Sequence, residues 1–432
     1  MRDAVARLYA LIRLFAPAEA SPFMSSETEV AIVGGGAAGI AAARRLTDAG
    51  VACLLIEARS RLGGRAYTVS HGGYGIDLGC GWLHSAGTNP FVAIAEAQGR
   101  TIDKSSPAWS RPALERNFPL VDQRLYQQAM AEFFERLSEL ATGKVDVPCS
   151  AAFEPRNRWN GLIGAVVSYI SGGDPSRVSA LDFENYGGTD INWRVAEGYG
   201  TLIATHADGV DIALDTIVER IDHAGTPLHI ETNRGTIAAK HVIVTLPTDI
   251  IGARAELFFP LLPQKTEAAA GLPLGLADKL YLTLDNPEEF GRDTRVFGLT
   301  DSKDTASYTI RPQGRPQIEG YFGDGLADEL ERGGIHAFVD FAVGQLAGML
   351  GNDFKKRVSL LDMHLWRADP FARGSYSFAL PGKVNCRQAL AAPIDGRLFF
   401  AGEACSKSDF STAHGAYLTG LAAAEQILAA RV

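Results

Sequence analysis

Cysteine is scarce in this sequence, and the little there is lies scattered. The 432 residues include five cysteines, Cys53, Cys80, Cys149, Cys386 and Cys405, an odd number with no C-x-x-C spacing. Nothing in that pattern supports a disulfide framework or a zinc site, and it fits a reducing compartment. Long apolar runs are also missing. The stretches Leu162–Ile170 and Ala4–Ala16 are too short or too interrupted to span a bilayer, and Arg7 and Arg13 break the second one as a secretory signal. Ala4–Ala16 reads either as an amphipathic helix or as residues ahead of a start at Met24, and the sequence does not choose between them. There is no long basic run, and the net charge is −9, which argues against nucleic acid as a partner. Such a balance either steers a cationic substrate or simply aids solubility. Repeats and low-complexity tracts are absent.

What the chain does have is glycine, 46 residues of it, as expected where tight turns approach a cofactor. Hydrophobic residues at 46% and charged residues at 21% are ordinary for a soluble globular protein. The length predicts two or more substructures around a shared core.

Val30–Val33 reads as a short buried strand, followed by a glycine turn, an alanine-rich helix ending near Gly50, and a second strand, Ala52–Ile56. That order makes a βαβ unit with a parallel sheet. Gln123–Leu140 and Asn160–Ile170 carry apolar residues at helical spacing. Strand-like runs follow at Asp211–Ile221, Leu228–Thr232, His241–Leu246 and Leu280–Leu284. A helical run near Ile335–Leu350, a strand at Arg397–Ala401 and a helix from about His414 to Ala430 complete the pattern.

Gly34-Gly35-Gly36-Ala37-Ala38-Gly39 fits G-x-G-x-x-G between strand and helix. Gly34 permits the sharp turn, Gly36 lets the backbone approach a pyrophosphate, and Gly39 allows the helix to pack closely on the strand. The pyrophosphate then meets free N–H groups at the helix N-terminus. Glu57 closes the second strand, where a carboxylate accepts hydrogen bonds from a ribose. The motif alone is weak; its strand–turn–helix context with the acid predicts a dinucleotide.

Directly after the acid comes Glu57-Ala58-Arg59-Ser60-Arg61-Leu62-Gly63-Gly64-Arg65, a second glycine pair among three arginines suited to phosphate. Here the chain resembles the flavin-dependent amine oxidases: monoamine oxidases, polyamine oxidases and lysine-specific histone demethylases. The resemblance implies an α/β flavoprotein with a Rossmann-like FAD-binding domain and an interleaved α+β substrate-binding domain. It also implies FAD contacts from Gly34, Gly36, Gly39, Glu57, Arg59, Gly64 and Arg65. The expected division is an extension at 1–27, a discontinuous FAD domain at 28–100, 196–255 and 385–432, and a substrate domain at 101–195 and 256–384.

Further segments carry the same resemblance. The run from Leu214 to Ile221 is similar to the strand whose backbone holds the adenine, at Val218. Phe400-Ala401-Gly402-Glu403 resembles the segment whose acid reaches a ribityl or phosphate group. Ser411-Thr412-Ala413-His414 resembles the helix start beneath the flavin, with the Ala413 N–H toward a ring carbonyl.

For the reacting end, Gly271–Leu280 is similar to the segment whose lysine, here Lys279, holds a water at flavin N5. A snorkelling surface lysine is the plain alternative. Leu365–Ser377 is very like the histone demethylase segment in which Trp366 packs beside the flavin and Tyr376 walls the amine cage; core packing is the commoner fate of both. Gly79-Cys80-Gly81-Trp82-Leu83-His84 resembles a polyamine oxidase stretch, with Gly81 and Trp82 touching flavin and His84 near the amine.

Three departures narrow the reading. Monoamine oxidases have a flavin-linked cysteine where this chain has Ser375, so FAD is expected to be non-covalent. A second cage tyrosine is replaced by Thr412, so the two-tyrosine cage is incomplete. L-Amino-acid oxidases place an arginine in a region where none occurs between Arg65 and Arg100, against an amino-acid substrate.

The expected catalytic set is Lys279, Tyr376, Trp366, His84 and Thr412, with no metal. The expected reaction passes hydride from an amine to flavin N5, with imine hydrolysis to an aldehyde and peroxide from O2. Polyamines are the first expectation for substrate, small monoamines the second. A desaturase or protoporphyrinogen-type oxidase, or a redox-silent flavin-binding interaction protein, stands as the alternative. A histone demethylase is disfavoured because the chain leaves no room for its helical insertion. Because the sequence ends just past the last helix, without a membrane anchor, a cytoplasmic location is expected.

Overall fold

A computed structural model describes residues 26–431. The Ala4–Ala16 segment, the Met24 start and the final residue therefore lie outside the described residues. From the N-terminus run β1 (Ser26–Val33), α1 (Ala37–Asp48), β2 (Cys53–Ile56), α2 (Leu120–Ala141) and α3 (Asn160–Ser171). Next come β3 (Ile212–Ala213), β4 (Val218–Asp222), β5 (Leu228–Thr232), β6 (Gly235–Val244) and β7 (Phe258–Phe259). They are followed by β8 (Ala277–Thr283), β9 (Thr294–Phe297), β10 (Ser307–Ile310), β11 (Gln317–Gly323), α4 (Asp324–Gly333) and α5 (Ile335–Leu350). The series ends with β12 (Leu360–Met363), β13 (Leu398–Phe400) and α6 (Ala413–Ala429).

Among the described residues, eight strands form one sheet in the order β7-β4-β5-β6-β1-β2-β3, with β13 also paired to β6. β1 is parallel to both β2 and β6. Its alternate side chains serve two cores, because successive strand residues point to opposite faces. Val30 and Ile32 pack under α1 and α6, while Ala31 and Val33 join Ile221, Ile230, Val242 and Phe400 on the other face. The two helices touch closely: a Cβ at Gly420 would lie 2.1 Å from the Ala38 carbonyl oxygen.

The single run read over Asp211–Ile221 is in fact two strands on opposite sides of the sheet. Asp215, with φ +52°, turns the chain between them, and β3 pairs with β2 while β4 pairs with β5 and β7. β1 begins at Ser26, two residues before the expected boundary at 28, because Ser26 already pairs with Ile237. β7 joins this sheet as well, beyond the break read at residue 255.

The second sheet has the order β9-β10-β11-β8-β12. Leu280, Leu282, Val296, Tyr308, Ile318 and Phe322 turn one face into a core completed by Phe338, Ala342 and Leu346 of α5. The alternate residues face the other way, toward α2 and α3. Those helices join through Tyr126, Ala129, Phe133 and Leu137 against Leu162, Ile163 and Val167, one apolar stripe against another.

Among the described residues no helix is long and apolar enough to cross a membrane.

Candidate active site

One cavity of ≈ 1230 Å³ runs from the glycine turn after β1 to α2 and α3. Every site residue expected from the sequence lines it except Gly39. Gly39 serves packing: a Cβ there would fall 1.9 Å from the Gly34 carbonyl oxygen. Gly34 itself has φ +110°, a backbone that favours glycine. Gly36 caps α1, and a Cβ there would meet no atom within 4 Å. The turn thus leaves open space at the helix N-terminus, where unpaired N–H groups and the dipole suit a pyrophosphate. Gly64, with φ +57°, lies over it, so close that a Cβ would sit 3.2 Å from the Gly36 Cα. These residues fit a dinucleotide.

Glu57 is 4% exposed, and its oxygens accept the N–H groups of Gly35 (2.7 Å) and Arg59 (2.9 Å). A carboxylate has about four acceptor positions, so ribose hydroxyls can still be received. The arginines are more committed than the sequence suggests. Arg59 pairs with Asp369 at 2.6 Å. Burial alone would raise the Asp369 carboxyl, but hydrogen bonds from His364 and Arg59 hold it well below the usual carboxylate range. Arg61 donates to the carbonyls of Leu62 and Gly64 and stacks on Tyr67; it holds the loop and does not line the cavity. Arg65 donates to the Ser375 carbonyl (2.7 Å) and to Glu403 (3.0 Å).

Glu403 accepts the Ser377 hydroxyl (2.6 Å) and the Ser411 N–H (3.0 Å) as well. Burial would raise its carboxyl, yet Arg65, Ser377 and Arg387 outweigh that and lower it. Glu403 therefore ties β13 to the chain before α6, besides facing the cavity. Val218 lines the cavity, and its carbonyl accepts from Arg254 at 3.2 Å.

The reacting end is built on the cavity face of the second sheet. Register places Phe297, Ser307, Tyr321 and Lys279 in one cross-strand row, and Arg295, Thr309, Glu319 and Tyr281 in the next. Lys279 is 6% exposed. Its ammonium donates to the Asp77 carbonyl (3.2 Å), lies 3.8 Å from Glu319, and would be 3.1 Å from a Cβ at Gly81. A water is thus not required as its polar partner. Glu319 is also paired with Arg194 at 2.8 Å; burial would raise its carboxyl, and the two cations bring it below the ordinary value.

Trp366 is buried, donates to the Leu78 carbonyl (3.0 Å) and meets His364 edge-on at 4.3 Å. Trp82 meets Trp109 edge-on at 4.3 Å and lies under Arg194 at 4.1 Å. The Tyr376 hydroxyl donates to the Tyr169 carbonyl (2.5 Å) and lies 3.2 Å from the Tyr321 hydroxyl. The rings of Tyr169 and Tyr321 meet at 5.7 Å and 88°. Three tyrosines, from α3, β11 and the segment after β12, thus meet on the cavity lining.

Thr412 supplies no such wall. Its hydroxyl accepts the Gly415 N–H (3.0 Å) and donates to the Asp409 carbonyl (2.6 Å), which makes it the N-cap of α6. Thr412 lines the cavity, but both bonding directions of its hydroxyl are taken up by this cap. Ala413, the first residue of α6, lines the cavity, and the first N–H groups of a helix have no partner within it.

His84 is pushed down to about 4, first by burial, with the Asn192 hydrogen bond opposing. Asn192 Nδ2 donates to the Asp190 carbonyl (3.1 Å), so its Oδ1 receives the His84 Nδ1–H (2.7 Å). That leaves Nε2 of a neutral ring as an acceptor. Ser375 Oγ donates to the Ala277 carbonyl (2.8 Å) and accepts its N–H (2.9 Å).

Sequence reading missed Glu319, Arg194, Arg295, Tyr169 and Tyr321. Glu319 had a signal: one acid in the otherwise uncharged run QIEGYFG, the argument used for Lys279.

Comparison with known proteins agrees with this geometry. The sequence matches the flavin containing amine oxidoreductase family over residues 37–171 and 166–428. It is 29% identical to polyamine oxidase 2 of Arabidopsis thaliana over 434 residues, covering 92% of this chain and 87% of that one. Polyamine oxidase 3 of Oryza sativa subsp. japonica is 30% identical over 436 residues, with 91% and 88% covered. Lysine-specific histone demethylase 2 of Homo sapiens is 26% identical over 448 residues, but only 53% of it is covered. Among solved structures, wild-type putrescine oxidase bound to putrescine superposes with a TM-score of 0.75 at 18% identity, covering 94% of this chain and all of that one. The chain belongs to the flavin containing amine oxidoreductase family and is an FAD-dependent amine oxidoreductase.

Proposed function

We propose that the protein oxidises the carbon–nitrogen bond of a primary or secondary amine bearing a single ammonium, using non-covalently held FAD and dioxygen. The observation that carries this is the continuity of the dinucleotide cradle with the floor around Lys279, Glu319 and Tyr321 in one cavity. When bound, FAD supplies the hydride acceptor and the centre that dioxygen reoxidises.

The protein's own residues orient, dry and charge the site. Tyr169, Tyr321 and Tyr376 wall the amine with aromatic faces and exclude water. Neutral His84 offers Nε2 as an acceptor for an amine N–H. Lys279 holds positive charge under Gly81. The imine released by oxidation is hydrolysed to an aldehyde and a shorter amine or ammonia, and dioxygen becomes peroxide.

Relatives named polyamine oxidases support amine chemistry, but the walls favour one ammonium over several. Glu319, the acid on the floor, is already held by Arg194 and Lys279. Non-covalent FAD rests on Ser375, which has no thiol and whose hydroxyl is closed on Ala277. A cytoplasmic location is proposed from the five free cysteines.

The test is anaerobic titration of the holoenzyme with a panel of monoamines, polyamines and porphyrinogens, followed by a peroxide assay on aeration. Amine-dependent bleaching with peroxide supports the reading. Bleaching by a porphyrinogen alone, or by nothing, overturns it. Acid precipitation should leave yellow FAD in the supernatant; colour in the pellet would show a covalent link.

A further inference from the structure

Arg295 is a cation in this cavity whose presence amine chemistry does not explain. It stands on β9, on the same face as Lys279 and Glu319, and lines the cavity. Its guanidinium stacks on Phe297 at 4.2 Å and gives one N–H to the Trp109 carbonyl at 2.9 Å. A guanidinium has five N–H donors in a planar fork, and no acid among the described residues forms an ion pair with this one. The acid in its own row, Glu319, lies two strands away beyond Thr309 and is bound to Arg194. Burial disfavours its cationic form, and the hydroxyls of Tyr126 and Tyr169, kept neutral by their own burial, bring no opposing charge.

The opposing wall does not supply the missing charge. Gln123, Tyr126, Gln127 and Met130 of α2 line the cavity there, and none is acidic. Arg111 lines the same region, donating to the Ser106 carbonyl. Asp190 is exposed. Despite a chain charge of −9, the substrate half of the cavity carries more cations than acids. A half-buried cation with no acid paired to it is costly, and a bidentate oxyanion is the ligand that such a fork fits.

We propose that the end of the cavity at Arg295 and Arg111 is an oxyanion-recognition site, so that the substrate is an amine carrying a carboxylate or phosphate at its far end. The inference rests on the amine oxidase reading for the near end. Three strand spacings separate Lys279 from Arg295, about 14 Å across the sheet. That span is too long for an α-amino acid, whose carboxylate sits on the carbon bearing the amine. It suits a chain with amine and oxyanion at opposite ends. A diamine or longer polyamine would instead set its second ammonium against Arg295.

The holoenzyme is titrated calorimetrically with octylamine, 1,8-diaminooctane, 8-aminooctanoate and 8-aminooctyl phosphate, and each mixture is then tested for flavin bleaching. An oxyanion ligand should bind at least about tenfold tighter than the diamine, the effect expected of a charge-assisted pair. Comparing the carboxylate with the phosphate tells which oxyanion fits. Arg295→Gln should remove that advantage and leave octylamine unchanged, and Arg295→Lys should restore part of it. Tighter binding of the diamine than of both oxyanion ligands overturns the proposal, as does equal weakening of octylamine in Arg295→Gln. Bleaching by the diamine with no oxyanion preference would leave the amine oxidase reading standing and sink this site. Arg295-dependent oxyanion binding without bleaching by any amine would do the reverse.

Discussion

Lys279 Nζ lies 3.8 Å from Glu319 Oε1, a diagonal pair across the antiparallel strands β8 and β11 on the floor of the cavity. Glu319 also has Arg194 at 2.8 Å, so it retains one cationic partner when Lys279 is removed. Lys279→Met, which keeps the volume and removes the ammonium, should therefore fold and hold FAD. With a bleaching amine, stopped-flow reduction or reoxidation by dioxygen should slow at least about tenfold, a barrier change of about 1.4 kcal/mol. Wild-type rates for both steps in the FAD-loaded variant would leave Lys279 a structural partner of Glu319 and Asp77.

The glycines of the cradle differ in what they protect. At Gly39 a Cβ would collide with backbone at 1.9 Å, whereas at Gly36 it would enter open space. Gly39→Ala should give little folded protein. Gly36→Ala should fold as well as wild type when FAD is stripped, yet bind FAD at least about tenfold more weakly, since the methyl takes the backbone approach a pyrophosphate needs. Flavin fluorescence titration and apoprotein melting separate the two. Unchanged FAD affinity in Gly36→Ala would move the pyrophosphate elsewhere.

How much of this was readable from residues alone follows the distance over which each part is assembled. The cradle is local: strand, glycine turn, helix and acid lie between Val30 and Arg65, so spacing suffices to find them. Helix Ile335–Leu350 was legible for the same reason, its apolar face repeating along one continuous segment. The cavity floor is not local. Arg295, Tyr321 and Glu319 share a face with Lys279 only after four strands pair in a non-sequential order, and alternation within a strand does not say which strand lies beside it. Thr412 was noticed only as the absence of a tyrosine, although a threonine just before an apolar helix is an N-cap by ordinary preference, the part it takes at α6. The acidic chain suggested a cationic ligand, but net charge sums the surface and is silent about a cavity lined by Arg194, Lys279 and Arg295.

His84 should not set the acid limb of the pH–rate profile near neutrality, because burial pushes it down to about 4. His84→Asn should change the height of kcat/KM between pH 6 and 9 and leave the apparent pKa of that limb in place. Its stability effect has a definite sign. A folded value below the unfolded one, about 6.5, means the unfolded chain binds more protons between those two values. Stability is then lost as pH falls through that window. Melting temperature should drop less on acidification from pH 7 to pH 4.5 in His84→Asn than in wild type. A limb that shifts in the variant, or an equal drop in both proteins, would mean that His84 titrates near its ordinary value.

Asp278, next to Lys279 but on the opposite face of β8, is 0% exposed. Burial first, and the Glu331 carboxyl second, raise its carboxyl well above the ordinary value. Glu331 is fixed there by the N–H groups of Arg367 (2.9 Å) and Ala368 (3.0 Å), and Asp278 by the weaker N–H of Trp366 (3.4 Å). An acid whose folded value is raised contributes stability that is full below its unfolded value, 3.8, and is lost as pH rises toward the folded one. Asparagine has nearly the same shape and never loses a proton, so Asp278→Asn should be more stable than wild type by on the order of 1 kcal/mol at pH 8. The gain should shrink at pH 5, where the unfolded aspartate is nearer its own titration. FAD content should not change, since Asp278 does not line the cavity. Chemical denaturation at the two pH values measures both quantities. A variant less stable than wild type at pH 8 would show that Asp278 is held as a charged, well-partnered carboxylate, and the acid pair behind Trp366 would then be a source of stability at neutral pH.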